Sequence, residues 1–364
     1  MTNPEQTKQA VELLKRLIAT PSVSRDETAA ADIVSEELNA KNLQLGNVFS
    51  VHRQGNNVWC VPNGFDDSKQ TILLNAHIDT VKPVAGWQHD PFSPTLEGEV
   101  LFGLGSNDCG GGLVSLMQVF FEYCNLQSPF CSLQSSFNLI YLASCEEEVS
   151  GKNGIESVLP LLPKIDFAIV GEPTGLQPAI AEKGLMVIDA IAHGKAGHAA
   201  RNEGDNAIYH AIKDIQWLSE WQFPKQTELL GPVKNTVTIL NAGTQHNVIP
   251  DQCTFTIDVR SNECYTNEEI FAFFQQHLTS ELKARSFRLS SSRIEMEHPF
   301  VQACLKEGLQ PFGSPTLSDQ ALMRFPSLKL GPGESSRSHT ADEYIKISEI
   351  DNAISLYLKL LQQM

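Results

Sequence analysis

Five short segments, far apart in the chain, carry side chains that could hold a cation or move a proton. The first is His77-Ile78-Asp79, directly after the apolar run 71–76. An imidazole with a carboxylate two residues on, both on one side of an extended strand, suits a metal ligand and the acid that orients it. It also suits a strand-end turn. The second, Ser106-Asn107-Asp108-Cys109-Gly110-Gly111-Gly112, sets a carboxylate in a loop whose glycines let backbone approach a ligand. A helix-capping Asp would look the same. The third, Cys145-Glu146-Glu147-Glu148, follows the apolar run 137–143. Consecutive acids there are costly unless solvent or a cation is present. Strand alternation would send Glu147 to one side and Glu146 and Glu148 to the other. The fourth is Val170-Gly171-Glu172-Pro173-Thr174, and the fifth is Ser338-His339-Thr340-Ala341-Asp342-Glu343 after a Gly331-Pro332-Gly333 turn. Either could be a surface loop. Jointly, two imidazoles and at least three carboxylates make the mixed donor set that a borderline cation such as Zn²⁺ requires. One shared Asp then describes a two-metal hydrolase with ions ~3.5–4 Å apart. The chain has no H-E-x-x-H, no G-x-S-x-G, no G-x-G-x-x-G and no G-K-[ST].

The elements that must position these groups follow an α/β rhythm. Residues 4–19 read as a helix, with Asn3 as cap, Pro4 at the first position, and Val11, Leu14, Leu17 and Ile18 on one face. The runs 71–76, 137–143 and Phe167–Val170 read as strands buried on both faces. A Gly-rich turn at Gly110–Gly112 feeds a helix over 113–123. Strand, turn, helix, strand is the pattern of a sheet with parallel members, whose ligand sites form at the strands' C-terminal ends. The pattern changes near Glu182. Phe255, Ile257 and Val259 alternate with polar residues, and Val237 and Ile239 alternate with Thr236 and Thr238. Thr266-Asn267-Glu268-Glu269 is a capping box. Residues 183–293 therefore read as an α+β insert, after which a helix (296–309), a strand (328–330) and a final helix (347–361) resume the first domain. The expected domains are 1–182 plus 294–364, and 183–293.

Composition excludes several classes. The chain has 364 residues, 41% hydrophobic and 19% charged, which is globular and suits two domains. Lys and Arg number 27 against 43 Asp and Glu, a formal net charge of −16, so a nucleic-acid partner is not expected. No apolar run approaches the ~20 residues of a membrane span, and the polar start does not resemble a signal peptide. The cysteines, at 60, 109, 124, 131, 145, 253, 264 and 304, include no C-x-x-C pair. They read as mostly reduced, buried thiols of a cytoplasmic protein.

Together these segments resemble the zinc-dependent aminoacylase, acetylornithine deacetylase and succinyl-diaminopimelate desuccinylase family, the M20-type metallopeptidases and deacylases. The resemblance runs from Pro21-Ser22-Val23-Ser24 to the last helix, and looks closest to the acetylornithine- or acetylcitrulline-deacetylase-like branch. It implies a zinc-exopeptidase-type catalytic domain with a mixed, largely parallel sheet, and an inserted ferredoxin-like lid and dimerisation domain. It implies two Zn²⁺, with Co²⁺ a plausible substitute: His77 and Glu172 at one, Glu148 and His339 at the other, Asp108 bridging. Asp79 would orient His77. Glu147 would be the general base that takes a proton from the attacking water and passes it to the leaving amine. Gly194-Lys195-Ala196-Gly197-His198 resembles the lid motif whose His stabilises the oxyanion, often from the partner subunit. Asn247 and Arg260 match substrate-binding positions, with Lys183 and Arg337 as further candidates. The implied substrate is an N-acyl-L-amino acid, acetyl or succinyl derivatives of ornithine or citrulline favoured, in arginine biosynthesis. A dipeptidase, an exopeptidase or a succinyl-diaminopimelate desuccinylase is the alternative. A homodimer through the insert is expected, and a non-enzymatic dimeric binder is disfavoured because base, ligands and oxyanion His are all present. Cys109 beside the bridging Asp, and Glu146 where Asp is usual, depart from the pattern.

Overall fold

The computed structural model describes residues 4–125, 135–201 and 203–364. Asn3 and Cys131 therefore lie outside the described residues. In chain order the elements used below are α1 (Pro4–Ile18), α2 (Thr28–Gln44), β1 (Phe49–Gln54), β2 (Asn57–Pro62), β3 (Gln70–His77), α3 (Gly111–Cys124), β4 (Phe137–Ser144), β5 (Phe167–Val170) and β6 (Ala179–Glu182). Then come β7 (Met186–His193), α4 (Ala207–Glu220), β8 (Lys234–Ala242), β9 (Gln252–Arg260), α5 (Asn267–His277) and β10 (Glu281–Ala284). The last are α6 (Pro299–Lys306), β11 (Ser327–Lys329) and α7 (Ile347–Leu361). The chain divides into two compact units: Met1–Ile180 with Ile294–Phe312 and Ser318–Met364, and Ala181–Arg293 with Gly313–Leu317. Gly313–Leu317, placed with the flanking domain by sequence, sits in the second unit.

The first unit is built on a mixed sheet in the order β1-β2-β4-β3-β5-β11-β6. Its centre is parallel, with β3 between β4 and β5, and β11 beside β5. The central strands have no exposed face: every residue of β4 and β5 is buried, and so is all of β3 after Gln70. This is why they read as unbroken apolar runs rather than alternating ones. Leu73, Ile140, Leu142, Ala168 and Val170 share one core cluster. α1 buries Ala10, Val11, Leu14 and Ile18. α2 has no counterpart in the expectations above, because its buried stripe of Ala30, Ala31, Val34 and Leu38 is weak in large apolar residues. α3 enters against the end of β5 at close range. A Cβ at Gly112 would stand 1.7 Å from the Gly171 carbonyl oxygen, so only glycine fits.

The helix expected over 296–309 is shorter, α6, because His298 caps it: its Nδ1 accepts the Phe300 N–H at 3.2 Å. Burial holds the His298 imidazole below its ordinary 6.5. With the folded value depressed, the unfolded chain binds the proton more tightly, so the contribution is complete above about pH 6.5 and is lost as pH falls below it. His298→Ala is expected to cost about 1 kcal/mol, the usual scale of a cap. It should also flatten the pH dependence of denaturant-induced unfolding between about pH 5 and 7. An unchanged pH dependence would count against this assignment.

The second unit carries a four-stranded antiparallel sheet in the order β8-β9-β7-β10, with α4 after β7 and α5 after β9. This β-α-β-β-α-β succession is ferredoxin-like. β9 alternates buried and half-buried residues, as a sheet covered on one face requires. Thr266 caps α5 through a complete capping box with Glu269.

The described cysteines are all free, and all but Cys264 are buried. Among the described residues, no helix is long and apolar enough to cross a membrane.

Candidate metal centre

Three neighbouring parallel strands deliver the site. β3 ends at His77, β4 runs into 145–148, and β5 is followed by Glu172. Register aligns the ends: His77 sits opposite Ser144, and Asn75 opposite Val170. Asp108 precedes α3, and His339 lies in the loop after β11 with φ 60, a left-handed backbone uncommon outside glycine. Strand alternation does not govern the acidic segment, because β4 stops at Ser144. The chain turns there instead, with Glu146 at φ 55 and the Ser150 N–H on the Glu147 carbonyl. This turn, not a pleat, directs Glu147 and Glu148 into the same cleft.

The distances describe two overlapping ligand sets. His77 Nε2 lies 3.3 Å from Asp108 Oδ1 and 3.7 Å from Glu172 Oε1. His339 Nε2 lies 3.0 Å from Glu148 Oε2 and 3.7 Å from Asp108 Oδ2. The two oxygens of Asp108 thus face different imidazoles. Donors ~2.0–2.2 Å from a tetrahedral zinc stand about 3.3–3.6 Å from each other, and these four separations lie within about 0.3 Å of that range. Ligand atoms of His77, Asp108 and Glu148 lie within 4.8 Å of one another, as do those of His77, Cys109 and Glu172. Glu172 Oε1 is buried and has no hydrogen-bond partner among the described residues. Burial and the neighbouring Asp108 push its carboxyl up to about 8. Burial raises Glu147 as well, with further repulsion from Glu172. Crowded, desolvated carboxylates with an orphaned oxygen are what a cation would stabilise, so the donor set fits a pair of divalent ions.

The next layer of contacts fixes these groups. The Asp79 carbonyl oxygen, not its carboxylate, holds His77: Nδ1 is 2.8 Å from that oxygen and 3.6 Å from Oδ1. Nδ1–H therefore donates there and Nε2 keeps its lone pair toward the cleft. The Asp79 carboxylate accepts the N–H groups of Glu147 and Glu148 at 3.0 and 3.2 Å and the Ser24 hydroxyl at 2.7 Å. Two buried acids escaped the sequence reading as site residues. Glu343 accepts the N–H groups of Asn107 and Asp108 at 2.8 and 2.9 Å, and burial lifts its carboxyl to about 7. Asp319 accepts the Ser144 hydroxyl at 2.6 Å, and burial lifts it to about 6. Nothing local marks either one, because their partners lie 235 and 175 residues away. Cys109 is buried, with its sulfur 3.2 Å from the His77 N–H, and burial pushes the thiol up. It packs against the site, with its sulfur also 3.5 Å from the His77 carbonyl oxygen.

The remaining candidates belong to the second unit or are already engaged. The Arg337 guanidinium makes a bidentate pair with Glu349 at 2.8 and 2.9 Å and lies over the Tyr344 ring. Its fork serves the start of α7. His198, Asn247, Arg260 and Lys183 belong to the second unit. His198 is exposed, and its Nδ1 accepts the Ala200 N–H at 3.1 Å. Arg260 donates to both oxygens of Asp258 at 2.8 and 3.1 Å. Lys183 Nζ donates to the Pro232 carbonyl at 2.6 Å. Asn247 is exposed, and its carbonyl accepts the Ala199 N–H at 3.0 Å.

Comparison with known proteins agrees with this geometry. The profile described as "Peptidase family M20/M25/M40" matches residues 73–363. The chain is 26% identical to a succinyl-diaminopimelate desuccinylase of Paracoccus denitrificans, with 97% of each chain covered. It is 24% identical to a desuccinylase of the same name from Wolbachia pipientis, over 78% of this chain and 72% of that one. Among solved structures it is similar to a Staphylococcus aureus tripeptidase, with TM-score 0.73, 19% identity and 98% of both chains covered. It is also similar to a dinuclear metal-binding M20 peptidase of Bacillus subtilis, with TM-score 0.71, 16% identity, and 99% and 98% covered. The chain belongs to peptidase family M20/M25/M40 and is a metal-dependent hydrolase.

Proposed function

We propose that this enzyme hydrolyses the amide of an N-acyl amino acid, with N-succinyl-diaminopimelate the favoured substrate. The observation behind amide hydrolysis is Glu147: its carboxylate lies 4.0 Å from His77 Nε2, inside the cleft, while other acids supply the ligand sets. The choice of acyl group and amine is supported by the likeness to the Paracoccus denitrificans desuccinylase, matched over 97% of both chains. The ornithine and citrulline derivatives in arginine biosynthesis draw no such support.

In this reading His77, Asp108 and Glu172 hold one ion and Glu148, Asp108 and His339 the other, zinc being favoured by the mixed donors. Bound there, the cations supply Lewis acidity, lowering the pKa of water and polarising a carbonyl. The protein's own part is the proton. Glu147 takes it as water oxygen bonds to the amide carbon, then gives it to the nitrogen as the C–N bond breaks. His198 is suited to an oxyanion. Because Nδ1 accepts the Ala200 N–H, the neutral ring carries its proton on Nε2 as a donor. Whether it serves its own subunit or a partner follows from the assembly.

The assembly we propose is a homodimer through the second unit. β8 is an edge strand with Ile239 and Leu240 52% and 49% exposed, an apolar edge of the kind that pairs. Ile239→Lys is expected to shift sedimentation from dimer to monomer. A wild-type monomer with full activity would contradict both the dimer and a His198 acting across it.

The test of function is a panel assay after reconstitution with Zn²⁺. Its substrates are N-succinyl-diaminopimelate, N-acetyl- and N-succinyl-ornithine, N-acetyl-citrulline, a dipeptide and a tripeptide. The expected result is the highest kcat/KM on N-succinyl-diaminopimelate. A higher value on an ornithine or citrulline derivative, or on a peptide, would overturn the choice of substrate.

A further inference from the structure

The base-bearing turn is held by its backbone in an unusual way. Successive amides from 145 to 148 donate to side chains, not to main-chain carbonyls. Cys145 N–H donates to Asn57 Oδ1 at 3.1 Å, and Glu146 N–H to Glu27 Oε1 at 3.2 Å. Glu147 and Glu148 donate to Asp79, as described above. Glu27 lies 119 residues from its partner and is fully buried. Among the described residues, no Lys, Arg or His forms an ion pair with it. A buried carboxylate with no cation is costly unless donors satisfy it. Its donors here are the amide of Arg25 at 2.6 Å on Oε1, shared with Glu146, and Asn56 Nδ2 at 3.1 Å on Oε2.

Glu27 sits at the N-cap of α2, yet its side chain makes no capping bond. The partial positive charge of the helix start still stabilises it electrostatically. One of its three hydrogen bonds, that from the Glu146 N–H, reaches the turn before Glu147. There Glu146 takes φ 55, and the Glu146 side chain is itself held by Asn153 Nδ2 at 2.9 Å. The left-handed residue immediately before the base is therefore pinned by both its amide and its carboxylate.

We propose that Glu27 is a positioning residue for catalysis: it fixes the Glu146 amide and so sets the direction of the Glu147 carboxylate. This rests on Glu147 being the base. Asp79 accepts the amides of both Glu147 and Glu148, but the Glu148 carboxylate is also held by His339, so losing Glu27 should move the base and spare the ions.

The test compares Glu27→Ala, Glu27→Asp and Glu27→Gln in the full chain, reading kcat, KM, zinc content and thermal unfolding, each alone and combined with Glu147→Gln. Asp keeps the charge but withdraws the oxygen by one carbon–carbon bond. It keeps the test informative if the Ala variant does not fold. Gln keeps an oxygen for the two amides, and Asn56 can turn its own oxygen to the new NH₂. The expected result is a kcat lower by about 10- to 100-fold in the Ala and Asp variants, the scale of a small misplacement of a reacting group. KM and zinc content should be unchanged, and Gln should restore kcat to within about threefold. In the Glu147→Gln background the loss should vanish, since residues acting through one group are not additive. Unchanged kcat in a folded Ala or Asp variant would overturn the proposal. So would an equal loss in the Glu147→Gln background, or a loss that tracks zinc content. Turnover that survives Glu147→Gln alone would instead overturn the reading of the base, and the role of Glu27 with it.

Discussion

Glu147→Gln is expected to lower kcat by about 10²–10⁴-fold, the range that general acid–base catalysis supplies, while zinc content stays at the wild-type value. In free energy this is about 3–5 kcal/mol of barrier. The amide side chain matches the carboxylate in shape but cannot accept the proton that must leave the attacking water. The variant should keep its metals because Glu147 is not needed in either ligand set: His77 faces Asp108 and Glu172, and His339 faces Glu148 and Asp108. The measurement is steady-state turnover beside zinc analysis of the same sample. Full activity in Glu147→Gln would remove the proposed base.

Asp108→Ala should be at least as damaging, by a different route. Its two oxygens face two imidazoles, so its loss takes one donor from each set. Turnover is expected to fall to that of the chelator-treated wild type, and dialysed protein should retain little zinc. The fold should survive. In the metal-free protein Asp108 repels Glu172, so its removal relieves part of the strain that lifts Glu172 to about 8. The substitution also removes the carboxylate that pairs with His77 and His339, so the melting temperature of Asp108→Ala should lie close to that of the metal-stripped wild type. A variant that binds two zinc ions per chain would contradict the bridging role.

The candidate ligand positions could be placed at a sheet edge from the sequence because the strands before them are legible. β4 and β5 are largely apolar and buried throughout, so a charged residue directly after them stands at a sheet edge. Three such edges with a His or Glu at each, plus a carboxylate before a Gly-rich helix start, leave little freedom in where the groups meet. The second unit was legible for another reason. The alternation in β9 and the capping box of α5 are both local patterns.

What was hidden is long-range and polar. Glu27, Asp319 and Glu343 carry no local mark of burial, yet all are buried, because their partners are amides or hydroxyls far along the chain. Arg337 is a further substrate-binding candidate by sequence, but Glu349 on the following helix occupies its guanidinium. The expectation that Glu147 and Glu148 point apart failed because it assumed the strand continued. β4 ends before them, and periodicity carries no information about a turn. The orientation of His77 was also only half readable. Asp79 does hold the ring, but by a main-chain oxygen, which frees its carboxylate to hold the acidic turn.

The account depends most on a shared carboxylate joining two cations, and an anomalous difference map from crystals grown with Zn²⁺, recorded at the zinc edge, tests that directly. Two peaks about 3.5–4 Å apart are predicted, each ~2.0–2.2 Å from a different oxygen of Asp108. His77 and Glu172 should flank one peak, and Glu148 and His339 the other. A single peak, or peaks that leave Asp108 unliganded, would contradict it.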